Sequence, residues 1–195
     1  MTDKDNRDQH LLWAEVDREN LVRTPVFTLV RSRRRSPTGF ESDYFVVDSP
    51  DWVNIVATTE DARGRRCFIM VRQFRHGSMR VSLEFPGGVV DAGEKPERAI
   101  AREFREETGY DAGSIKLIGS VNPNPALMGN RCYTYFADSV RFVGPPAPES
   151  DEYLEVELVP VNDLVSGTRD TEFDHAMMHV ALRFYRECVN GDGSV

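Results

Sequence analysis

The chain has no apolar run approaching the ~20 residues that cross a bilayer. Its apolar runs are short, Phe45-Val46-Val47 and Ile55-Val56-Ala57 among them. It has no CxxC pair, and its three cysteines (Cys67, Cys132 and Cys188) are far apart and odd in number. That spacing argues against a zinc cluster and leaves buried free thiols as the expectation. It has no excess of positive charge: 24 Lys and Arg stand against 32 Asp and Glu, giving a net charge of −8 and a pI near 5.1. A duplex-binding protein needs a basic face, so nucleic acid is disfavoured as a partner. A small phosphorylated ligand is not excluded, because bound metal ions supply positive charge locally. There is no internal repeat and no low-complexity linker. The charged start MTDKDNRDQH lacks the apolar core of a signal peptide, so the expected compartment is the cytoplasm, with no membrane partner.

What is present suits one soluble domain. Hydrophobic residues make up 40% and charged residues 29%, an ordinary balance for a globular chain with a core. Residues 1–20 read as a polar arm with a short helix around Leu11 to Val16. The basic stretch Arg31 to Arg35 leads into a turn signal, Ser36-Pro37-Thr38-Gly39. It reads either as a solvated hairpin tip or as an electropositive rim beside an anionic substrate. Strands are predicted at Val26–Val30, Tyr44–Val47, Val53–Thr58, Cys67–Arg72, Val81–Phe85, Ile115–Val121, Cys132–Phe142 and Leu154–Val159. A helix is predicted over Pro96–Thr108 and a helical turn over Asn162–Val165. A last helix carries the stripe Phe173, Met177, Val180, Phe184 and Cys188, read as core packing. Many strands with two or three helices predict an α+β layered fold around a mixed sheet.

Residues 88–110 read GVVDAGEKPERAIAREFREETGY. The fixed positions are Gly88, Glu94, Arg102, Glu103, Glu106, Glu107 and Gly109, with apolar residues at Phe104 and Tyr110. With each identity at a frequency of ~7%, a chance match is roughly one in ten million. Glu103, Glu106 and Glu107 stand at i, i+3 and i+4, so their carboxylates share one helix face. Three like charges there repel one another, whereas a merely solvated helix interleaves lysines. Ile100 and Phe104 lie on a flank that can pack on a sheet. A carboxylate cluster beside an apolar flank points to a hard cation with oxygen ligands, Mg²⁺ or Mn²⁺. Pro86-Gly87-Gly88 lets the backbone approach such an ion, since glycine has no Cβ. Pro96 suits the first helical turn, while Lys95 falls at the N-cap, where it caps poorly. Arg102 is expected to pair with a carboxylate, with Glu94 as candidate, and to orient the loop. His10, His76, His175 and His179 show no metal spacing; His175 and His179 lack the Glu of HExxH and read as helix-surface residues.

This pattern resembles the complete box of the Nudix hydrolases. The resemblance implies an α/β/α sandwich with a mixed β-sheet and hydrolysis of a nucleoside diphosphate linked to another moiety. It implies two or three Mg²⁺ ions (Mn²⁺ as a possible substitute) held by Glu103, Glu106 and Glu107, with the Gly88 carbonyl as a further candidate ligand. Beyond the box, Trp52–Val56, Val71-Arg72-Gln73-Phe74-Arg75 and Leu83–Gly88 look like the ADP-ribose and nucleotide-sugar pyrophosphatase branch, as does Pro125, fifteen residues past the box. That branch implies one domain over 1–195, with an N-terminal arm and strand extension (1–50) that forms a homodimer and a core at 51–195. In it Arg72, with Arg75 second, would contact phosphate or the terminal sugar; a strand-end salt bridge is the other reading of both. Glu84 would bind the base or a metal-bound water, or hold the loop by hydrogen bonds. The general base would come from the acidic loop 148–153, with Glu152 first and Glu149 and Asp151 as rivals; the box itself is the other source. ADP-ribose, giving AMP and ribose 5-phosphate, is the leading small nucleotide substrate. GDP-mannose or another nucleotide sugar is the alternative, and a non-catalytic ligand sensor is the rival of another class.

Overall fold

The computed structural model describes residues 8–148 and 152–191. Contacts group the chain into two units. The first takes the residues up to Pro50 together with Asn122–Asn130, and the second takes Asp51–Val121 and the residues from Arg131 on.

In the first unit a 3-10 turn (Gln9–Leu11) precedes three strands, β1 (Ala14–Arg23), β2 (Thr28–Arg35) and β3 (Glu41–Asp48). They form an antiparallel sheet in the order β1-β2-β3. Of the helix expected around Leu11 to Val16, Leu11 ends the 3-10 turn and Ala14, Glu15 and Val16 are strand. Pairing with β2 decides this, since β1 has no buried residue and no alternation of its own. The five residues Arg31 to Arg35 are strand rather than tip, and the turn itself falls at Ser36–Gly39, where Gly39 has φ 89°. Their charges meet acids across the sheet: Arg31–Glu19 at 2.7 Å, Arg33–Asp43 at 2.8 Å, Arg34–Glu15 at 3.1 Å and Arg35–Glu41 at 2.7 Å. A free electropositive rim is not what these arginines make.

The second unit is built on a mixed sheet. Its main path runs β12 (Leu154–Pro160), β5 (Arg66–Arg75), β4 (Trp52–Glu60), β10 (Cys132–Ala137) and β9 (Lys116–Val121). Strand β6 (Arg80–Glu84) joins β5, and the short β7 (Gly87–Val89) joins β4. Strands β4 and β10 run parallel, while the other pairs are antiparallel. The segment expected as one strand, Cys132–Phe142, is two. Its end, β11 (Val140–Phe142), leaves to pair with β8 (Tyr110–Ala112). Helix α1 spans Pro96–Thr108, α2 Val161–Val165 and α3 Ala176–Val189.

Residues 53–58 of β4 and 67–71 of β5 are buried on both faces, and the period-2 alternation of strands sorts them between two cores. Val53, Ile55, Ala57 and Ile69 meet Ile100 and Phe104 of α1. Val56, Phe68 and Met70 meet Met178, Leu182 and Tyr185 of α3. Helices on both faces of one sheet make the α/β/α sandwich that the box implied. Of the stripe read as core, Phe173 is fully buried just before α3, while the members on the helix are one residue off its buried centre. Its buried face is Met178, Ala181, Leu182 and Tyr185, while Met177, Val180, Phe184 and Cys188 flank it half-buried. The helix is apolar over a wide arc, so spacing alone did not locate its centre. Cys67 and Cys132 are buried free thiols, but Cys188 is only half-buried. Among the described residues no helix is long and apolar enough to cross a membrane.

Candidate active site

Helix α1 carries the acidic face, and its ends are set by local chemistry. Pro96 opens it, and Lys95 at the N-cap makes no side-chain capping bond. Gly109 ends it in the left-handed conformation with φ 74°, its N–H bonded to the Arg105 carbonyl. A Cβ there would also lie 2.0 Å from the Gly144 carbonyl oxygen, so this glycine is required twice over. Ala99, Ile100 and Phe104 are buried alongside Glu107, and Glu107 and Glu103 lie against Gly87 and Gly88.

The three carboxylates differ in surroundings. Glu107 is 2% exposed and accepts the Gly87 N–H at 2.9 Å. Burial pushes its carboxyl up to about 8; the Gly87 N–H opposes this, and the charges of Glu103 and Glu152 add to it. Glu103 is also raised, by burial first, against the pull of Arg102. The Gly88 backbone lies directly against it: a Cβ on Gly88 would come within 2.5 Å of the Glu103 carboxylate. Glu106 is the most exposed of the three, with 39% of its side chain accessible.

Arg102 ties this cluster together. It reaches Glu94 at 3.2 Å, Glu103 at 3.0 Å and Glu106 at 3.1 Å, and donates to the Val89 carbonyl at 3.4 Å. The Glu94 pairing expected from the sequence is present, with two further partners. Glu94 also accepts the Asp91 N–H, which closes the loop before the helix.

Of the two candidate arginines, Arg75 faces the cluster. Its guanidinium donates Nε–H and Nη2–H to the two oxygens of Glu84, at 2.8 and 2.6 Å. The charges of Glu107 and Glu152 also act on it. Arg72 instead joins an ion-pair ring, at 3.3 Å from Glu157 and 2.8 Å from Glu172, closed on the far side by Arg169. Arg72 thus takes the salt-bridge reading that the sequence also allowed, and Arg75 is paired with Glu84. Arg72 and Arg75 are three residues apart and point to opposite faces of β5. Glu152, the first choice for the base, acts by its charge on Glu103, Glu107 and Arg75. The rivals Glu149 and Asp151 lie outside the described residues. Pro125 falls in a turn of the first unit, where the Asn124 carbonyl accepts the N–H groups of Leu127 and Met128.

Glu84 is fully buried. Burial alone would raise its carboxyl, but the Arg75 hydrogen bonds and the charges of Arg75 and His175 hold it below the usual range. A carboxyl depressed in the folded state contributes stability above its unfolded value of ~4.3, and this contribution is lost as pH falls through the folded value. We expect Glu84→Gln to cost about 2 kcal/mol at pH 7, less than for a fully buried pair because Arg75 is partly solvated. Denaturant melts from pH 7 to pH 3 check this. The gap between variant and wild type should close below pH 4, and a gap independent of pH contradicts the pairing.

The donors suit a hard divalent cation. All are oxygens, two of the three carboxyls are raised by burial and like charge, and only a glycine backbone fits against Glu103. Among the described residues no three such side chains already stand at coordinating distance; Glu103 and Glu106 turn to Arg102, and Glu107 turns to Gly87.

Comparison with known proteins decides the family. The NUDIX domain matches residues 50–180, two thirds of the chain. The chain belongs to the Nudix hydrolases. Among its relatives is the ADP-sugar pyrophosphatase of Mus musculus, 34% identical over 125 residues, which are 60% of this chain and 56% of that protein. The ADP-ribose pyrophosphatase of Bacillus subtilis is 28% identical over 149 residues, covering 76% and 78% of the two chains. That of Mycobacterium tuberculosis is 32% identical over 141 residues, covering 72% and 66%. The match thus spans little more than half of the mouse protein. A crystal structure of an ADP compounds hydrolase has the same Nudix fold, with a TM-score of 0.77 at 23% identity over 94% of this chain and 97% of that one.

His175, read from the sequence as a helix-surface residue, is half-buried at the N-cap of α3. It precedes α3, and its Nδ1 is buried. No spacing signal marks it, because its burial comes from a loop crossing β6.

Proposed function

We propose that this Nudix hydrolase cuts the diphosphate bond of a nucleoside diphosphate joined to another group, with ADP-ribose giving AMP and ribose 5-phosphate as its main reaction. The observation that carries the reading is the acidic face of α1 against Gly87 and Gly88, with Arg75 the only arginine of the two candidates turned to it. The choice of ADP-ribose rests on the named activities of the Bacillus and Mycobacterium relatives.

In this reading Glu103, Glu106, Glu107 and the Gly88 carbonyl would hold Mg²⁺. Bound there, the ion supplies charge neutralisation at the phosphates and a more acidic water. Arg75 takes the diphosphate oxygens, and Glu84 keeps its planar fork in place. Glu152 accepts the proton of the attacking water, and its position beside Glu103 and Glu107 favours it. Arg102 orients Glu103 and Glu106 and holds the loop through Glu94. Arg72 is structural. A homodimer is part of the proposal. The first unit exposes Trp13, Val22, Phe40, Tyr44 and Phe45, a concentration of apolar surface that suits a second copy.

A panel of ADP-ribose, GDP-mannose, UDP-glucose, diadenosine polyphosphates and nucleoside triphosphates with Mg²⁺ tests the substrate. Fastest turnover of ADP-ribose supports the proposal, and preference for GDP-mannose moves the enzyme to the nucleotide-sugar reading. Binding of a compound with no turnover of any makes the chain a sensor.

The metal site has a test without turnover. A ligand at a hundred times its Kd adds about 2.7 kcal/mol, which in a chain of this size raises Tm by about 5–10 °C. We expect that shift when Mg²⁺ is added to the chelator-treated wild type, and less than half of it for Glu107→Gln. Equal shifts in the two proteins remove Glu107 from the ligands.

A further inference from the structure

In the described sheet β6 pairs only with β5, and its other edge is covered by the segment 172–178. Two contacts fix that cover. The Leu83 N–H donates to the Glu172 carbonyl at 2.8 Å, and the Phe85 N–H meets Met178 Sδ at 3.1 Å. Phe173 packs edge-on against Phe85 beneath it, with ring centres 5.7 Å apart. His175 stands midway between the two anchors, alongside Glu84.

Three features single out this histidine. Its Nδ1 is buried and has no hydrogen-bond partner among the described residues; Ser82, on the Glu84 face of β6, also favours the ionised form of Glu84. The two Glu84 oxygens each accept one Arg75 N–H, which leaves acceptor capacity on both. His175 also holds the N-cap of α3 without capping it, where Ser, Asn, Asp or Thr would be the stabilising choice. A buried polar atom without a partner is costly, and an acceptor with spare lone pairs is what would relieve it.

We propose that His175 is a positioning residue: seated over the edge of β6 with its Nδ1 unpartnered, it turns its Nδ1–H to the Glu84 carboxylate when the diphosphate binds and so locks the Arg75 fork toward the acidic face of α1. The side chains then act in series. His175 steadies Glu84, Glu84 steadies Arg75, and Arg75 meets the diphosphate. The inference rests on the reading of Arg75 given above.

The test separates capping from positioning. Serine and asparagine both cap a helix, but only asparagine extends an N–H far enough to replace that of His175. The probe is α,β-methylene ADP-ribose, whose bridging carbon resists hydrolysis, with affinity measured by calorimetry in Mg²⁺. His175→Ser is expected to bind it about tenfold more weakly, the scale of one hydrogen bond to a charged group. Its Tm should hold or rise. His175→Asn is expected to stay within about threefold of wild type, by the same reasoning. Equal affinities for the serine and asparagine variants, at whatever level, overturn the proposal. Arg75→Ala serves as the control for the underlying reading. If it binds as wild type, Arg75 does not hold the diphosphate, and the role of His175 falls with it. If Arg75→Ala is weak while both His175 variants bind as wild type, only the His175 inference fails.

Discussion

Glu106→Gln is expected to lower kcat by about a thousandfold or more, the scale of ~4 kcal/mol in the barrier, with Tm within about 2 °C of wild type. The two halves of this expectation have different sources. Glu106 is the most exposed carboxylate of the cluster, and the one bond to its side chain comes from Arg102 at 3.1 Å. Arg102 keeps Glu94 and Glu103 when Glu106 is neutralised, so no buried charge is stranded. A partly exposed pair contributes ~1 kcal/mol or less. The chemistry is more demanding. A carboxylate ligand to a hard cation cannot be replaced by an amide of equal size, which lacks the charge that holds the ion. The substitution should therefore act on kcat far more than on KM. Steady-state kinetics with saturating Mg²⁺ and a thermal melt of the same sample read both halves. A loss below tenfold would move the ligand role away from Glu106, and a large drop in Tm would show that its contacts hold the helix.

The second large effect separates two adjacent glycines. Gly87→Ala is expected to remove about 3 kcal/mol or more of stability, a large part of the 5–15 kcal/mol typical of a domain. A Cβ on Gly87 would stand 2.1 Å from the Val53 carbonyl oxygen and 2.7 Å from the Asn54 Cα. Both atoms belong to the backbone of β4, a strand buried on both faces, so neither can give way. The chain would have to release the Asn54–Gly87 register and the Gly87 N–H bond to Glu107. Gly88→Ala is expected to fold. The three atoms nearest its new Cβ all belong to the Glu103 carboxylate, the free end of a flexible side chain, the first at 2.5 Å. Glu103 swings aside, and the cost appears as weakened Mg²⁺ binding and lost turnover. Denaturant melts with and without Mg²⁺ distinguish them. Gly87→Ala should be unstable in both conditions, whereas Gly88→Ala should match wild type in chelator and lack its Mg²⁺ shift. The same behaviour from both variants would contradict the geometry of this loop.

What could be read from the sequence is what local rules determine. Helix α1, its Pro96 start, its poor Lys95 cap and its acidic face follow from spacing and end chemistry within one segment, and all are found where expected. The central strands were legible because runs such as Cys67–Arg72 are apolar and bounded by turns. The misreadings lie where distant segments decide. Leu11 to Val16 could coil or extend, and the arginines of β2 settle the matter by pairing across the sheet. Arg72 and Arg75 differ only in which face of β5 they occupy, and that face acquires meaning from α1, over twenty residues away. The Nδ1 of the half-buried His175 is enclosed where its segment lies along β6, which no periodicity announces. Spacing thus exposed the carboxylates of the site, while the arrangement of the groups around them depended on topology.

The proposed activity, metal-dependent hydrolysis of ADP-ribose at the acidic face of α1, can be read directly from its products. The most direct measurement is chromatography of products after incubating ADP-ribose with the wild-type protein in Mg²⁺, beside the same protein in chelator. The account predicts equal amounts of AMP and ribose 5-phosphate with Mg²⁺, and neither in chelator. ADP-ribose bound but recovered intact in Mg²⁺, or AMP released equally in chelator, would contradict it.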